Sequence, residues 1–343
     1  MEKIGILTGG GDCPGLNSVI RAIVRKALQN DYEILGIKNG WKGMIEEDII
    51  KLDLDAVSGI LHRGGTILHT SRTNPYKKEE DVKKVVANFK KLGLKALIPI
   101  GGEDTLGVAA KLYRDFKLPV VGVPKTIDND ISGTDFTFGF DTAVNIAMDC
   151  IDRLHTTAES HNRVMVVEVM GRHAGWIALY SGLAGGADAI LIPEKPIDKD
   201  EVAALIKKRH SRGKSFSVVV VAEGAKMKKG SDIIQSEELD SFGHVKLGGI
   251  GQILAKAIEN TTGYETRVAV LGHIQRGGSP TAYDRVLGTR YGIKAIELVM
   301  ENKFGCVVAL QGNNIVAIPI EEVLGKIKTV DDAMYNIAST FFG

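Results

Sequence analysis

The sequence predicts an α/β protein built from two doubly wound domains with largely parallel sheets. Three observations carry this. Short runs rich in Val and Ile are almost continuously apolar, as strands buried on both faces should be. Amphipathic stretches of helical period separate those runs. Glycine-rich turns follow directly on several of the runs, and the 40 Gly among 343 residues lie in no low-complexity tract.

In order, the strand-like runs span residues 4–7, 34–37, 96–100, 120–123, 164–169, 189–192, 217–221 and 268–271. Ile20, Ile23, Val24, Ala27 and Leu28 share one helix face, which turns Arg21 and Arg25 onto another. Val82, Val85, Val86, Phe89 and Leu92 form a second such face, and residues 141–157 and 201–209 also read as helices. A change of domain is expected near Gly139, with a second crossing at residues 249–251. The two domains would then comprise residues 1–138 with 252–305, and residues 139–251 with 306–343. The tail after Phe304 carries no motif, so helix packing against the second domain is expected there.

Composition excludes several classes. Hydrophobic residues make up 44% and charged residues 25%, which is ordinary for a globular chain. Lys plus Arg number 43 and Asp plus Glu 42, so no global basic field for nucleic acid exists. Three cysteines without metal spacing argue against a disulfide framework or a zinc site and for a reducing, cytoplasmic compartment. The first residues hold too short an apolar run for a signal peptide, and no stretch approaches the ~18 apolar residues of a membrane helix.

In open α/β sheets, ligands bind in the loops beyond the carboxyl ends of strands. The first loop is Thr8-Gly9-Gly10-Gly11-Asp12-Cys13-Pro14-Gly15-Leu16-Asn17. It is either a tight turn or a cradle in which backbone N–H groups and a helix N-terminus face an anion. It fails as a dinucleotide fingerprint because Pro14 stands where Gly or Ala is needed. Gly101-Gly102-Glu103-Asp104-Thr105 places two carboxylates at a helix start, where they either complement the dipole or hold Mg²⁺ beside phosphates. Pro124-Lys125-Thr126-Ile127-Asp128-Asn129-Asp130 combines donors for phosphate with two carboxylates, one able to take a hydroxyl proton and one able to hold a metal. An Asx-rich turn is the bland alternative. The second half adds Arg163, Arg172, Glu223, Arg267, His273 and Arg276 at the ends of apolar runs, an inventory suited to a phosphorylated polyol.

Taken together, these motifs resemble the signatures of the 6-phosphofructokinase family. The resemblance includes Met170-Gly171-Arg172, Ala222-Glu223-Gly224 and the Gly-His-Ile-Gln-Arg-Gly-Gly segment at 272–278, in the family's order from residue 4 to about residue 305. It implies a phosphofructokinase-like fold, with residues 1–138 and 252–305 as a phosphoryl-donor domain and the rest as a sugar-phosphate domain. It implies transfer of a phosphoryl group to the 1-hydroxyl of fructose 6-phosphate. Asp128 matches the catalytic base, Thr126 lies beside the transferring group, and Arg172 would steady its charge. Glu103 and Asp130 match acidic positions associated with Mg²⁺. Gly11 and Arg72 match positions that hold the donor phosphates. Met170, Gly171, Arg172, Glu223, His273 and Arg276 match the sugar-phosphate pocket. Arg163 and Arg267 match arginines that reach this pocket from a neighbouring subunit, which implies a homodimer or homotetramer.

Asp104 and Lys125 depart from ATP-dependent relatives, which often have Gly at both positions. A carboxylate at Asp104 would fill the space of a nucleotide α-phosphate and repel it. At ~4 Å two unit charges cost about 1 kcal/mol in water and about 4 kcal/mol at an effective dielectric of 20. Lys125 would neutralise pyrophosphate. The pair resembles the signature of pyrophosphate-dependent members of the mixed-substrate branch, whose reaction runs in both directions. Arg21, Arg25, Arg212 and Lys214 resemble parts of a basic effector site, but Leu54 and His155 stand where arginines are expected, so a weak response to effectors is implied. The competing readings are an ATP-dependent 6-phosphofructokinase, an NAD or lipid kinase sharing the Gly-Gly-acid turn, and a sugar-phosphate sensor without catalysis.

Overall fold

A computed structural model describes residues 1–228 and 249–343. In chain order these residues form β1 (Glu2–Gly9), α1 (Leu16–Leu28), β2 (Tyr32–Ile37), α2 (Trp41–Glu46), β3 (Ile49–Leu52), α3 (Glu79–Lys91), β4 (Leu94–Gly101), α4 (Glu103–Phe116) and β5 (Val121–Pro124). The chain continues with α5 (Phe140–His161), β6 (Val164–Val169), α6 (Trp176–Ala184), β7 (Ala189–Leu191), α7 (Lys199–Ser211) and β8 (Ser217–Ala222). Then follow α8 (Ile250–Thr262), β9 (Thr266–Val270), α9 (Ala282–Met300), β10 (Cys306–Gln311), β11 (Asn314–Pro319) and α10 (Asp332–Ser339). No helix among the described residues is long and apolar enough to cross a membrane.

Contacts divide the chain into two compact units. The first comprises Met1–Ile127, Ile131–Thr142 and Arg276–Lys326; the second comprises Asp128–Asp130, Ala143–Gln275 and Ile327–Gly343. The first unit holds a seven-stranded sheet in the order β11-β10-β5-β4-β1-β2-β3. Its five inner strands pair in parallel, while β3 and β11 add antiparallel edges. β1 lies between β2 and β4, and its Ile4, Ile6 and Leu7 are fully buried. This is why the run is continuously apolar and not alternating. The strand order reverses at β1, so the carboxyl ends of β1 and β4 border a topological switch point. Glycines permit the close approach there: a Cβ at Gly9 or at Gly101 would overlap Thr105 in the first turn of α4.

The second unit holds a four-stranded parallel sheet in the order β7-β8-β6-β9. Val164, Val166, Val167 and Val218 to Val221 are fully buried, and β9 is the exposed edge. The switch point lies at β6, with β8 on one side and β9 on the other.

The eight apolar runs all form strands, but the units are cut differently from the expected domains. Residues 252–275 belong to the second unit because β9 pairs with β6, Val164 opposite Thr266 through Glu168 opposite Val270. Residues 306–326 belong to the first because β10 pairs with β5 and buries Val307 and Ala309 in its core. The crossing expected near Gly139 falls between Thr142 and Ala143, inside α5. The expected sugar-phosphate domain also took in residues 229–248, which lie outside the described residues. Residues 327–343 do pack with the second unit, as α10 against α6 and β7.

One buried carboxylate fixes how α5 starts. Asp284 Oδ2, in the first turn of α9, accepts from the N–H of Thr142 at 2.8 Å and from its hydroxyl. Burial pushes the Asp284 carboxyl up from 3.8 to about 6, against the opposing pull of the Thr142 hydrogen bonds. The folded state therefore keeps a proton that the unfolded state gives up between pH 4 and 6. The cost of the buried charge appears as pH rises through that window. Relative to an Asp284→Asn variant, the wild type is expected to lose up to about 3 kcal/mol of stability between pH 4 and pH 7. Denaturant unfolding of both proteins across this range checks it; a difference that does not vary with pH would contradict it.

Candidate active site

The first unit gathers one set of expected residues at the β1, β4 and β5 ends. Lys125 follows β5, is 5% exposed, and donates its ammonium to the carbonyl of Gly11. Its own N–H donates to Gly101 O at 3.0 Å, which fastens it to the end of β4. Arg276 packs against Gly11, where a Cβ would overlap its Nη1. Two cations thus lie against Gly11, in the glycine loop that leads into α1. Arg276, expected in the sugar-phosphate pocket, packs with the first unit. Arg72 is exposed, just ahead of a 3₁₀ turn at Pro75–Lys77. Thr126 O accepts from the Thr137 hydroxyl at 2.8 Å.

Glu103 and Asp104 stand in the first turn of α4, both exposed. They line a cleft of about 530 Å³ together with Asn74, Lys111, Arg114 and Glu321. Glu103 Oε1 accepts from Gly325 N–H at 2.9 Å, which orients the carboxylate. Among the described residues no group of three or more His, Cys, Asp or Glu is placed to hold a metal by itself. A Mg²⁺ bound mainly through phosphate oxygens and water needs only one or two carboxylates, so Glu103 fits that chemistry. Cys13, in the same glycine loop, is no nucleophile: burial pushes its thiol up to about 12.

The second unit gathers another set at the carboxyl ends of β6, β8 and β9. Met170 and Gly171 are buried and Arg172 half-buried, directly after β6. Glu223 N–H donates to Val169 O at 2.8 Å, and Gly224 N–H to Gly171 O at 3.0 Å, so the loops after β6 and β8 lie side by side. Met170 N–H donates to Gln275 Oε1 at 3.2 Å, and Gln275 Nε2 donates to Gly272 O at 3.0 Å. Gln275 is fully buried and ties the loop after β9 to the loop after β6. Gln275 sits within the 272–278 motif, and no feature of the sequence alone marks this tying role. His273 is exposed in a 3₁₀ turn, Gly272–Arg276. Asp128 and Asp130 pack with this unit, while Ile127 and Ile131 pack with the first.

Arg163 and Arg267 lie at the opposite end of this sheet. Arg163 precedes β6, whose six residues separate it from Met170 by roughly 20 Å at 3.3 Å per residue. That exceeds the reach of an arginine side chain. Both arginines instead pair with Glu265, Arg163 Nε at 2.9 Å and Arg267 through Nη2. Arg163 first, with Arg267 beside it, holds the Glu265 carboxyl below its ordinary 4.5. Glu265 was not singled out from sequence; an acid two residues before Arg267 was the available signal.

Comparison with known proteins settles the family. The phosphofructokinase family model matches residues 3–299. The chain belongs to the phosphofructokinase family. A pyrophosphate--fructose 6-phosphate 1-phosphotransferase of Streptomyces coelicolor is 57% identical over 342 residues, covering 99% of this chain and all of the relative. ATP-dependent 6-phosphofructokinase 3 of the same organism is 53% identical over 334 residues, covering 97% and 98%. The solved phosphofructokinase of Saccharomyces cerevisiae superposes with a TM-score of 0.80 at 30% identity. That match covers 99% of this chain and 47% of the yeast chain. The chain therefore shares the family's α/β fold.

Of the residues resembling an effector site, His155 Nε2 bonds with Gly185 O at 2.7 Å. Arg212 donates to Gly343 O. Lys214 is exposed near Arg212, Arg21 and Arg25 lie on α1 in the other unit, and Leu54 is 51% exposed.

Two glycines in these loops should respond differently to an added methyl. At Gly11 the Cβ meets the free end of an arginine, which can swing away. At Gly224 it meets the backbone carbonyl of Arg172, which cannot move without the loop. Gly224→Ala is expected to cost about 1–3 kcal/mol, and Gly11→Ala to leave unfolding nearly unchanged. Thermal unfolding of the two variants checks this, and equal destabilisation would contradict it.

Proposed function

We propose that the chain transfers a phosphoryl group reversibly from pyrophosphate to the 1-hydroxyl of fructose 6-phosphate, giving fructose 1,6-bisphosphate and phosphate. The observations that carry the donor are buried Lys125 held against Gly11 and a carboxylate, Asp104, on the wall of the cleft in the same unit. Lys125, Arg276 and the α1 N-terminus supply positive potential to a compact dianion or trianion. Asp104 opposes a further phosphate beyond it. Arg72 and Gly11 would complete the donor site. Mg²⁺, held by Glu103 with Asp130 and by the donor itself, would neutralise phosphate charge.

In this reading Asp128 takes the proton of the 1-hydroxyl as the oxygen attacks. Thr126 positions the moving group, and Arg172 balances its charge. Met170, Gly171, Glu223 and His273 would bind the sugar, and Arg276 its phosphate or the donor's. One observation favours ATP as a second reading: the cleft beside Asp104, with Lys111 and Arg114 on its wall, has room for a nucleoside. The three cysteines are unpaired thiols, which supports a cytoplasmic setting.

Arg163 and Arg267 cannot serve the strand-end loops of their own sheet. We infer that they complete the sugar-phosphate pocket of a neighbouring subunit in a homodimer or homotetramer. With Leu54 exposed, and with His155 and Arg212 engaged by main-chain oxygens, the effector-site resemblance lacks the charge to hold a polyanion.

Initial rates at equal Mg²⁺ with pyrophosphate or ATP test the donor. Pyrophosphate is expected to be preferred, and Asp104→Gly to raise relative ATP use by a factor between about five and several hundred. Preference for ATP in the wild type would overturn the donor assignment. Added ADP or phosphoenolpyruvate should leave the KM for fructose 6-phosphate unchanged. Subunit sharing is tested by co-refolding inactive Asp128→Ala and Arg163→Ala chains in equal amounts. Random assortment into pairs should restore about a quarter of the sites, and no recovery would refute sharing.

A further inference from the structure

The proposed reaction places one demand on the second unit: the Asp128 carboxylate must be held in a fixed direction. The C-terminal segment, which carries no motif, contains a device for this. Lys328 packs in the same unit as Asp128–Asp130. Its N–H donates to Asp130 O at 2.8 Å, and its ammonium donates to Asn129 Oδ1 at 3.0 Å. One residue therefore grips both the backbone and a side chain of the turn that follows Asp128.

The gripped residue is unusual in itself. Asn129 is 2% exposed and has φ of 51°, in the left-handed region. Asparagine enters that region more readily than most residues, and its buried amide oxygen needs a donor. Lys328 supplies that donor. Lys328 is anchored in turn by Trp176, whose Nε1 donates to its carbonyl at 2.8 Å and whose ring centroid lies 5.7 Å from its ammonium. Two residues on, Val330 N–H donates to Glu194 Oε1 at 2.9 Å, and the same oxygen accepts from Gly175 N–H at 3.0 Å. Gly175 closes the loop that carries Met170, Gly171 and Arg172. The tail thus references the aspartate turn and the substrate loop to a common anchor at the start of α6.

We propose that Lys328 is a positioning residue for Asp128. It fixes the left-handed turn at Asn129 and so the direction of the carboxylate before it. This rests on the reading of Asp128 as the base. A base displaced by about an ångström slows the chemical step without weakening ground-state binding to the same degree.

The test uses the full-length chain. Lys328→Met keeps the apolar stem against Trp176 and removes the donor and charge. With pyrophosphate and fructose 6-phosphate, kcat is expected to fall about 10- to 100-fold while both KM values stay nearly unchanged. Lys328→Arg should recover most of kcat. Asn129→Gly tolerates the same backbone and lacks the acceptor, so it should also lower kcat. The double variant should be no slower than the worse single one, because both remove one contact. An unchanged kcat in Lys328→Met, a rise in KM alone, or multiplied losses in the double variant would overturn the proposal. If Lys328→Met does not fold, a wild-type kcat in Asn129→Gly overturns it instead. An inactive wild type would defeat the proposed reaction and this inference with it; an active wild type beside an indifferent Lys328→Met defeats the inference alone.

Discussion

Asp128, Asn129 and Asp130 pack with the second unit, while the residues on both sides of them pack with the first. This short crossing is the constraint on which the rest of the structure depends. Thr126 and Asp128 are two residues apart, so their Cα atoms lie within about 7 Å whatever the rest of the chain does. The strand-end loops of β1, β4 and β5 and those of β6, β8 and β9 belong to different units, and the chain joins the two units at this point. The second tie is the helix α5, which changes unit between Thr142 and Ala143 and whose first turn is pinned by Asp284.

Each set follows from the same local physics. In the first unit α4 starts at Glu103, just after β4 ends at Gly101. Glycine allows that helix to press against the strand end, as Thr105 presses on Gly9 and Gly101. The helix N-terminus and bare N–H groups then face the space beyond the sheet, where anions are stabilised. Side chains at strand ends add discrimination. In the first unit Lys125, Arg276, Glu103 and Asp104 place charges of both signs near the ends of β1, β4 and β5, so in the proposed reaction donor choice would rest on a few charges and not on the fold.

These causes decide what was legible in the sequence. The inner strands of both sheets show as continuous apolar runs because helices cover them. β3 has four residues and three of them are exposed or half-buried, so it leaves no such run. β10 and β11 form a hairpin around Gly312-Asn313, a turn signal that was present and went unread. This hairpin, pairing through β10 with β5, is what places residues 306–326 in the first unit. The strand-end motifs were legible because close backbone approach demands glycine and phosphate demands charge. Glu265, Gln275 and Lys328 were not, because their meaning lies in partners brought together only by the sheet or the tail. Lys328 and Asn129 are 199 residues apart.

The two arginines paired with Glu265 show what a single chain can and cannot complete. Their place at the amino ends of β6 and β9 is fixed by register, not by side-chain choice, since Val164 pairs with Thr266 and Met165 with Arg267. No rotamer carries them along the strand to the loops after β6. Two guanidinium groups side by side repel, and Glu265 offsets that repulsion in the isolated subunit. An incoming phosphate would offer them more charge in a bidentate geometry and compete with that carboxylate. The pairing therefore holds both arginines at the amino end of the sheet with one of their two charges balanced. If a neighbouring subunit presents its sugar-phosphate pocket to this surface, as proposed above, both arginines are already held where that pocket would meet them.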